Sequence, residues 1–328
     1  MKIFAALPLF FLLCLAVCHC RPHEKEPQKA QQKPKDINAN AADKMQKLVI
    51  SISDYAKKAR PGFLIIPQNG VELAFKKADY SNDINQKYID AIDGLAVEEL
   101  FYYETLNIDS LRLESLRKLK GITVMNSDFV KSDKDVSDAK KRNKDEGFVP
   151  FIRTASNYYY NLIPDFIPNK NFDNIDKLGE IKNYLYLINP EQYETKEAYV
   201  EALSKTDYDM VTVDLFFDKY NPLTPEDVTR LKRKSNGSKR LVICYINIGA
   251  AENWRYYWRP NWKLGSPSFL KKPYEGYENE VYVEYWDPAW QKIIFGNDDS
   301  YMKKILDAGF DGAYLDNTEA YYELFRKE

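Results

Sequence analysis

The segment DGAYLD at residues 311–316 indicates the fold of this chain. Residues 312–315 form a short apolar run, and the run ends abruptly at Asp316. A continuous apolar run of this length is typical of a strand that is buried on both faces, as in a parallel sheet. The carboxylate would then lie at the carboxyl end of the strand, where parallel α/β folds carry their functional groups.

Seven other apolar runs have the same form, and nearly every one is followed by a polar or charged residue. They span residues 63–66, 94–97, 122–125, 148–152, 184–188, 210–213 and 241–246. Roughly 285 residues follow residue 40, a length usual for one barrel of eight strands and eight helices. The pattern therefore predicts an α/β fold, a (β/α)8 TIM barrel over residues 41–328, with a functional rim at the carboxyl ends of its strands.

Three further segments are predicted around this barrel. Apolar residues recur at helical spacing over residues 41–60, and Pro61 with Gly62 ends that helix. Residues 157–176 show no clear period and are interpreted as a connection. Residues 280–286 alternate between apolar and polar, so we expect an extra strand or an extended loop at the rim.

The N-terminal residues predict export. A charged start and an apolar run over residues 3–17 are typical of a signal peptide, which we assign to residues 1–20. The segment LAVC at residues 15–18 resembles a lipobox, in which Cys18 would be lipidated; ordinary signal cleavage nearby is the alternative. Residues 21–40 are rich in Lys, Gln, Glu and Pro and predict a disordered tether. We expect a secreted or cell-surface protein, attached to a membrane if Cys18 is lipidated.

Composition excludes several kinds of chemistry. Both histidines and three of the four cysteines precede residue 24, so Cys244 is the lone cysteine of the predicted barrel and is expected to be a packed, inert thiol. This excludes an internal disulfide framework, Ser-His-Asp and Cys-His catalysis, and His-zinc sites. Acid and base catalysis must then use Asp, Glu, Lys or Tyr. A net charge of −2 indicates no nucleic-acid partner, and we expect no cofactor and no metal.

Two motifs are INIGAAENWRYYW at residues 246–258 and GFDGAYLD at residues 309–316. Both resemble glycoside hydrolase family 114, a family of secreted endo-α-1,4-polygalactosaminidases and relatives with a (β/α)8 barrel. FLIIPQNG at residues 63–70 and IDGLAVEELFY at residues 92–102 also look like the family. In family members these two segments follow the Tyr-Leu-Asp strand, whereas here they precede it. The resemblance therefore implies a circularly permuted barrel.

The resemblance also implies a catalytic pair. Glycoside hydrolysis uses two carboxylates that flank the scissile bond. The family pattern assigns Asp316 as the nucleophile and Glu98 as the general acid/base of a retaining enzyme, and both residues end predicted strands. The alternative is that either is a solvated charge at the rim. Glu99 would replace Glu98 if the strand register differed by one residue.

Further residues are candidates for binding a polysaccharide substrate. Asp214 and Glu252 match the family pattern, although Asp214 could equally begin a helix. The amides that precede Gly70 could donate to sugar hydroxyls, but Asn-Gly is also a common turn. The aromatic candidates could stack on sugars or simply pack. The set is Gln68, Asn69, Glu99, Asp214, Tyr245, Glu252, Trp258 and Trp286.

Two functions from different classes remain open. The first is a glycoside hydrolase that acts on an amino-sugar polymer resembling polygalactosamine, which a cleft rich in Asp and Glu would suit. The second is a non-catalytic carbohydrate-binding surface lipoprotein on the same barrel. It is motivated by Ala250, where the family usually has Glu, and by Val97, where a basic residue is common. A nucleotide-dependent ligase is set aside because the chain has no Gly-rich phosphate loop.

Overall fold

The computed structural model describes residues 39–325, so the predicted signal peptide, Cys18 and nearly all of the predicted tether lie outside the described residues. Helix α1 spans Ala39–Ala59. Its start corrects the predicted end of the tether, because residues 39 and 40 already belong to the helix. Within the described part of the chain, no helix has the length and apolar character that crossing a bilayer requires.

All eight predicted runs are confirmed as strands, and every pairing between them is parallel. They are β1 Leu64–Pro67, β2 Gly94–Leu106, β3 Thr123–Val130, β4 Val149–Arg153, β5 Tyr184–Tyr186, β6 Met210–Asp214, β9 Leu241–Asn247 and β13 Gly312–Asp316. They form one sheet in the order β1-β13-β9-β6-β5 and a second in the order β2-β3-β4. The protein is therefore an α/β protein with parallel sheets, as predicted.

The two sheets adjoin where β1 meets β2. Gln68 forms a parallel bridge with Ala96. The Asn69 amide donates to the Ala96 carbonyl at 2.7 Å, and the Asp93 amide donates to the Ile65 carbonyl at 2.8 Å. On the other side, the ring of Phe151 in β4 lies 5.6 Å from the ring of Tyr184 in β5.

Five further strands lie in the connections that leave the carboxyl ends of β6 and β9. They are β7 Phe216–Asp218, β8 Asn221–Pro222, β10 Ala250–Glu252, β11 Leu270–Tyr274 and β12 Tyr277–Val283. The first two form a hairpin, and the other three an antiparallel sheet in the order β10-β12-β11. The extra strand predicted at residues 280–286 is confirmed in β12, although it begins earlier and ends at Val283. Its partners were not predicted.

The remaining α-helices follow the strands along the chain. They are α2 Gln86–Ile89, α3 Ser110–Lys118, α4 Val136–Asp145, α5 Lys196–Ser204, α6 Pro225–Leu231, α7 Pro288–Ile294, α8 Tyr301–Ala308 and α9 Ala320–Glu323. The predicted helix at residues 41–60 is confirmed as α1. Residues 158–176, within the predicted connection, contain no helix or strand.

Helix α1 packs against the C-terminal part of the described chain. It contacts both α8 and α9. Arg60, just after α1, donates to the carbonyls of Phe310 and Leu306 at 2.6 and 2.5 Å. The Tyr285 hydroxyl donates to the Ala41 carbonyl at 2.7 Å. The first and last helices of the described chain are thus neighbours.

Gly249 lets the connections after β9 and β13 come together at the rim. A Cβ at this position would lie 2.1 Å from the carbonyl oxygen of Asn317, which is much closer than atoms can approach. The Ile248 amide also donates to the Asp316 carbonyl at 3.1 Å. The close approach holds the end of β13, and therefore Asp316, against the connection that leads to β10.

Candidate active site

A cavity of about 1130 Å³ opens at the carboxyl ends of the parallel strands. The hairpin of β7 and β8 and the turn between β11 and β12 contribute to its walls. Eight of the ten residues predicted for the site line it. They are Gln68, Asn69, Glu98, Glu99, Asp214, Tyr245, Glu252 and Asp316.

Asp316 ends β13 and is held by two donors. The Tyr245 hydroxyl donates to its Oδ2 at 2.6 Å, and the Asn317 amide donates to its Oδ1 at 2.7 Å. Burial raises the pKa of Asp316 to about 6; the bond from Tyr245 opposes this rise, whereas the charge of Glu98 adds to it. Asp316 is therefore a carboxyl group that titrates near neutral pH and responds to the charge of Glu98.

Glu98 follows the apolar start of β2 and carries a different set of partners. The Tyr160 hydroxyl donates to its Oε1, and Ser127 shares that hydroxyl at 2.9 Å. The Glu98 amide donates to the Asn69 side chain at 3.0 Å. Burial raises the pKa of Tyr160 well above its ordinary value, so the phenol stays protonated and acts as a donor.

Arg153, the last residue of β4, lies behind the two glutamates at the end of β2. Its Nη2 lies 2.8 Å from Glu99 Oε1 and 3.9 Å from Glu98 Oε1. The guanidinium group is buried, and its carbon lies 4.5 Å from the centre of the Tyr160 ring and 4.9 Å from that of Tyr158. Burial alone would lower the pKa of Arg153, but Tyr160 and both glutamates outweigh it and raise the pKa. A permanent cation therefore faces Glu98 and Glu99.

Glu98 and Glu99 point to different partners because the backbone changes direction between them. Glu99 has a φ of 56°, in the left-handed region that non-glycine residues seldom adopt, and the pairing of β2 with β3 is irregular from Glu98 to Tyr103. Because of this irregularity, Glu98 accepts a hydrogen bond from Tyr160, whereas Glu99 forms the close ion pair with Arg153. Strain at a functional position of this kind is common in enzyme sites.

A second buried cation, Arg255, also lines the cavity. It pairs with Asp214 at 2.6 Å and with Glu252 at 2.6 Å, and all three side chains are almost fully buried. Burial opposes the charge of Arg255, but the two carboxylates outweigh it and raise its pKa. Burial also raises the pKa of Glu252, against the effect of Arg255. Asp214 and Glu252, which both line the cavity, are thus paired with the same cation.

Gln68 and Asn69 connect the floor of the cavity to Glu98. The Tyr186 hydroxyl donates to Gln68 Oε1 at 3.1 Å, and the Tyr186 ring lies 4.1 Å from that of Tyr160. Asn69 has a φ of 57° and accepts from Glu98. The backbone therefore bends at Asn69, and Asn69 also contacts the candidate catalytic residue.

The predicted aromatic platforms have three different surroundings. Tyr245 lines the cavity and is bonded to Asp316. Trp258 does not line the cavity, and its ring lies 5.4 Å from Trp262. Trp286 is also outside it; its ring is parallel to that of Phe325, with Lys44 above its face at 3.9 Å. The structure thus places both tryptophans in packing contacts rather than at the candidate site.

The side chains that line the cavity are strongly acidic. Ten are carboxylates, namely Glu98, Glu99, Glu191, Asp214, Asp218, Glu252, Glu278, Glu280, Asp316 and Glu319. Three are cations, namely Arg153, Lys219 and Arg255. Since carboxylates outnumber cations, the field in the cavity is negative. Within residues 39–325 no group of three or more potential ligands is arranged to hold a metal ion.

Three residues of the site, Tyr160, Arg153 and Arg255, were not predicted. Arg153 directly follows a predicted strand, and that position could have drawn attention to it. Tyr160 lies in the irregular connection, where no period marks it. Arg255 lies in the motif of residues 246–258, but its ion pairs depend on packing that the sequence pattern does not reveal. Cys244 is buried, as expected, and burial raises the pKa of its thiol well above the ordinary value.

The C-terminal part of the chain is similar to a known family. Residues 188–328 match the model of the glycoside-hydrolase family GH114. The match contains Asp214, Tyr245, Glu252 and Asp316. It does not contain Glu98, which lies on β2.

Three curated proteins are similar to parts of the chain. A protein of Deinococcus radiodurans is 34% identical over 122 residues, which is 37% of each chain. A protein of Methanocaldococcus jannaschii is 29% identical over 154 residues, 46% of this chain and 41% of the relative. A protein of Thermotoga maritima is 26% identical over 131 residues, 39% of this chain and 38% of the relative. All three are named as uncharacterized proteins.

The chain spans about two fifths of the length of these relatives. Strands β6, β9 and β13, which place Asp214, Tyr245 and Asp316 at one cavity, all lie within the matched residues. In its C-terminal part, over residues 188–328, the chain is thus similar to the glycoside-hydrolase family GH114.

Proposed function

We propose that this protein is an exported retaining glycoside hydrolase that cleaves an α-linked amino-sugar polysaccharide resembling polygalactosamine. Asp316 is the nucleophile and Glu98 the general acid/base. One observation carries the proposal: two carboxylates from β2 and β13 line one cavity, and the charge of Glu98 raises the pKa of Asp316. A pair of carboxylates that sense each other across a cavity is the equipment that glycoside hydrolysis requires.

The chemistry follows from the partners of each carboxylate. Asp316 attacks the anomeric carbon while Glu98 protonates the leaving oxygen, which breaks the glycosidic bond and leaves a covalent glycosyl ester on Asp316. Glu98 then removes a proton from water, and that water displaces Asp316. Tyr160 and Arg153 engage Oε1 of Glu98, so Oε2 is the oxygen that we assign to proton transfer.

The closed, circularly permuted barrel is part of this proposal. The strand order of the two sheets and the bridge between β1 and β2 support a cyclic arrangement of β1, β2, β3, β4, β5, β6, β9 and β13. In a closed barrel the first and last strands are neighbours, so a change of starting point preserves the core. The pairing of β1 with β13 and the packing of α1 against α9 agree with such a change.

The charge of the cavity favours a cationic substrate. Ten carboxylates against three cations would attract a polymer that carries free amino groups and would repel an anionic polymer.

The proposal that the protein is exported rests on the N-terminal sequence alone. Membrane association of the mature protein, and its release by Cys18→Ser, would support lipidation, whereas a fully soluble wild-type protein would contradict it.

The release of reducing ends from partly deacetylated α-1,4-galactosamine polymer tests the proposed activity. We expect the purified wild-type protein to release them, to act less on the fully acetylated polymer, and to leave anionic polygalacturonate intact. Binding without any new reducing ends would contradict hydrolysis and favour the non-catalytic carbohydrate-binding protein. That alternative is motivated by the apolar side chains of Ala250 and Val97, which the structure buries completely.

A further inference from the structure

Trp254 differs from the other tryptophans of the chain. Trp258 and Trp262 pack on each other at 5.4 Å, Trp286 stacks on Phe325, and Trp290 is completely buried. Trp254 instead lines the cavity, and 39% of its surface is exposed. A large apolar ring that remains exposed on the wall of an acidic cavity is available to a ligand.

The backbone on both sides of Trp254 is held in place. The Asn253 amide donates to the Asn279 carbonyl at 2.9 Å, and the two asparagine side chains are joined at 2.9 Å. On the other side, the Arg255 guanidinium is locked by Asp214 and Glu252. These contacts fix the loop that carries Trp254, so binding a ligand there requires little additional ordering of the backbone.

The catalytic carboxylates and Trp254 belong to different elements. Asp316 and Glu98 end or interrupt core strands, whereas Trp254 follows β10, in the inserted sheet that walls the cavity. The cavity of about 1130 Å³ exceeds the ~300–1,000 Å³ of sites that enclose a whole drug-sized ligand. It therefore has room for several sugar rings of one chain.

We propose that Trp254 is the stacking platform of an outer sugar-binding subsite, which makes the enzyme prefer long chains to short ones. This inference rests on the proposed hydrolysis of an amino-sugar polymer. The apolar C–H face of a sugar ring would pack on the exposed part of the indole. Asp316 and Glu98 would meanwhile hold the scissile bond.

The test compares Trp254→Ala and Trp254→Phe on α-1,4-galactosamine chains of defined length. We expect Trp254→Ala to lower kcat/KM about tenfold on the long polymer, equivalent to about 1.4 kcal/mol, and less than about twofold on the shortest chain that is cleaved. Trp254→Phe should recover part of the loss, since it retains an aromatic face. Phe172→Ala is the matched control, because it removes an aromatic ring that is 76% exposed but lies away from the cavity. The preceding residue, Asn171, binds Asp209, which lies just before the start of β6.

An equal loss on every chain length, or no loss on any, would overturn the platform while hydrolysis stood. If the wild-type protein cleaved none of the chains, the platform would be tested by the affinity of the Asp316→Asn variant for the polymer. Weaker binding of the double variant Asp316→Asn/Trp254→Ala than of Asp316→Asn would then support the platform on a non-catalytic protein. Equal binding by the two variants, or no binding by either, would reject it.

Discussion

Tyr245 in β9 and Asp316 in the adjacent strand β13 are joined by a 2.6 Å hydrogen bond, which the tyrosine hydroxyl donates. Tyr245 in β9 pairs in register with Tyr314 in β13, so its side chain meets the residue two positions further along. This diagonal contact joins a buried phenol, whose pKa burial raises well above its ordinary value, to a carboxyl group whose pKa burial raises to about 6. The bond stabilises the ionised form of Asp316, the form that a nucleophile needs.

Tyr245→Phe should therefore move the acid limb of the pH–rate profile. In the wild-type protein, kcat/KM should fall as pH drops through about 6, because protonated Asp316 cannot attack. Without the donor, the pKa of Asp316 should rise and the limb should shift to higher pH, with about tenfold lower activity at pH 6. A limb at the same pH in both proteins would show that Asp316 is not the group that titrates.

The burial of Asp316 should also lower the free energy of unfolding at neutral pH. Because its folded-state pKa is raised from 3.8 to about 6, the folded protein binds a proton more tightly than the unfolded chain. The free energy of unfolding should fall as pH rises through that window. Asp316→Asn should remove this cost and stabilise the protein by about 1–2 kcal/mol at pH 7, with the gain disappearing below about pH 4. Denaturant unfolding at both pH values measures it; a destabilised variant at pH 7 would contradict the expected sign.

Arg153 should act on catalysis through Glu98. Its guanidinium group lies 3.9 Å from Glu98 and 2.8 Å from Glu99, so it holds both side chains at the end of β2. Arg153→Gln should lower kcat much more than it changes KM, because Glu98 loses its position relative to the scissile bond, whereas Arg153→Lys, which keeps a cation near both glutamates, should recover part of the loss. Wild-type kcat in Arg153→Gln would show that Arg153 does not position Glu98. Circular dichroism of each variant checks the fold, since breaking a buried pair costs about 3–5 kcal/mol.

Arg60 should couple α1 to the family-like part of the chain. Its guanidinium donates to the carbonyls of Leu306 and Phe310, at the end of α8 and just before β13. Arg60→Met should lower the free energy of unfolding of the whole protein by about 1–2 kcal/mol, because two carbonyls lose a charged donor. Lys58→Met, at an exposed position nearby, is the control and should change it by less than about 0.5 kcal/mol. Two separate unfolding transitions would show that α1 is not part of one cooperative unit.

Prediction from the sequence succeeded where burial alone decides the pattern. Each parallel strand is an apolar run because both of its faces are covered, and Gly94, Met210 and Leu241 begin observed strands where the runs begin. Prediction from the sequence was less complete for the segments that form the walls of the cavity. Strand β10 has only three residues, too few to show a period, and the five residues of β11 do not alternate clearly between apolar and polar types. The partners of Tyr160 and Arg255 depend largely on contacts distant in sequence. Trp258 and Trp286 could not be separated from Trp254 by residue type, because all three are tryptophans near polar residues.

The most direct test of the catalytic pair is turnover by Asp316→Asn and Glu98→Gln, with Glu99→Gln for comparison, on α-1,4-galactosamine polymer. Asp316→Asn and Glu98→Gln should each lower kcat about a thousandfold while still binding the polymer, since each removes a group that acts in bond cleavage. Glu99→Gln should retain much more activity, because Glu99 is committed to the close ion pair with Arg153. The first product released by the wild-type protein should keep the α configuration by proton NMR. Near wild-type turnover in Asp316→Asn or Glu98→Gln, or a β product, would contradict the account.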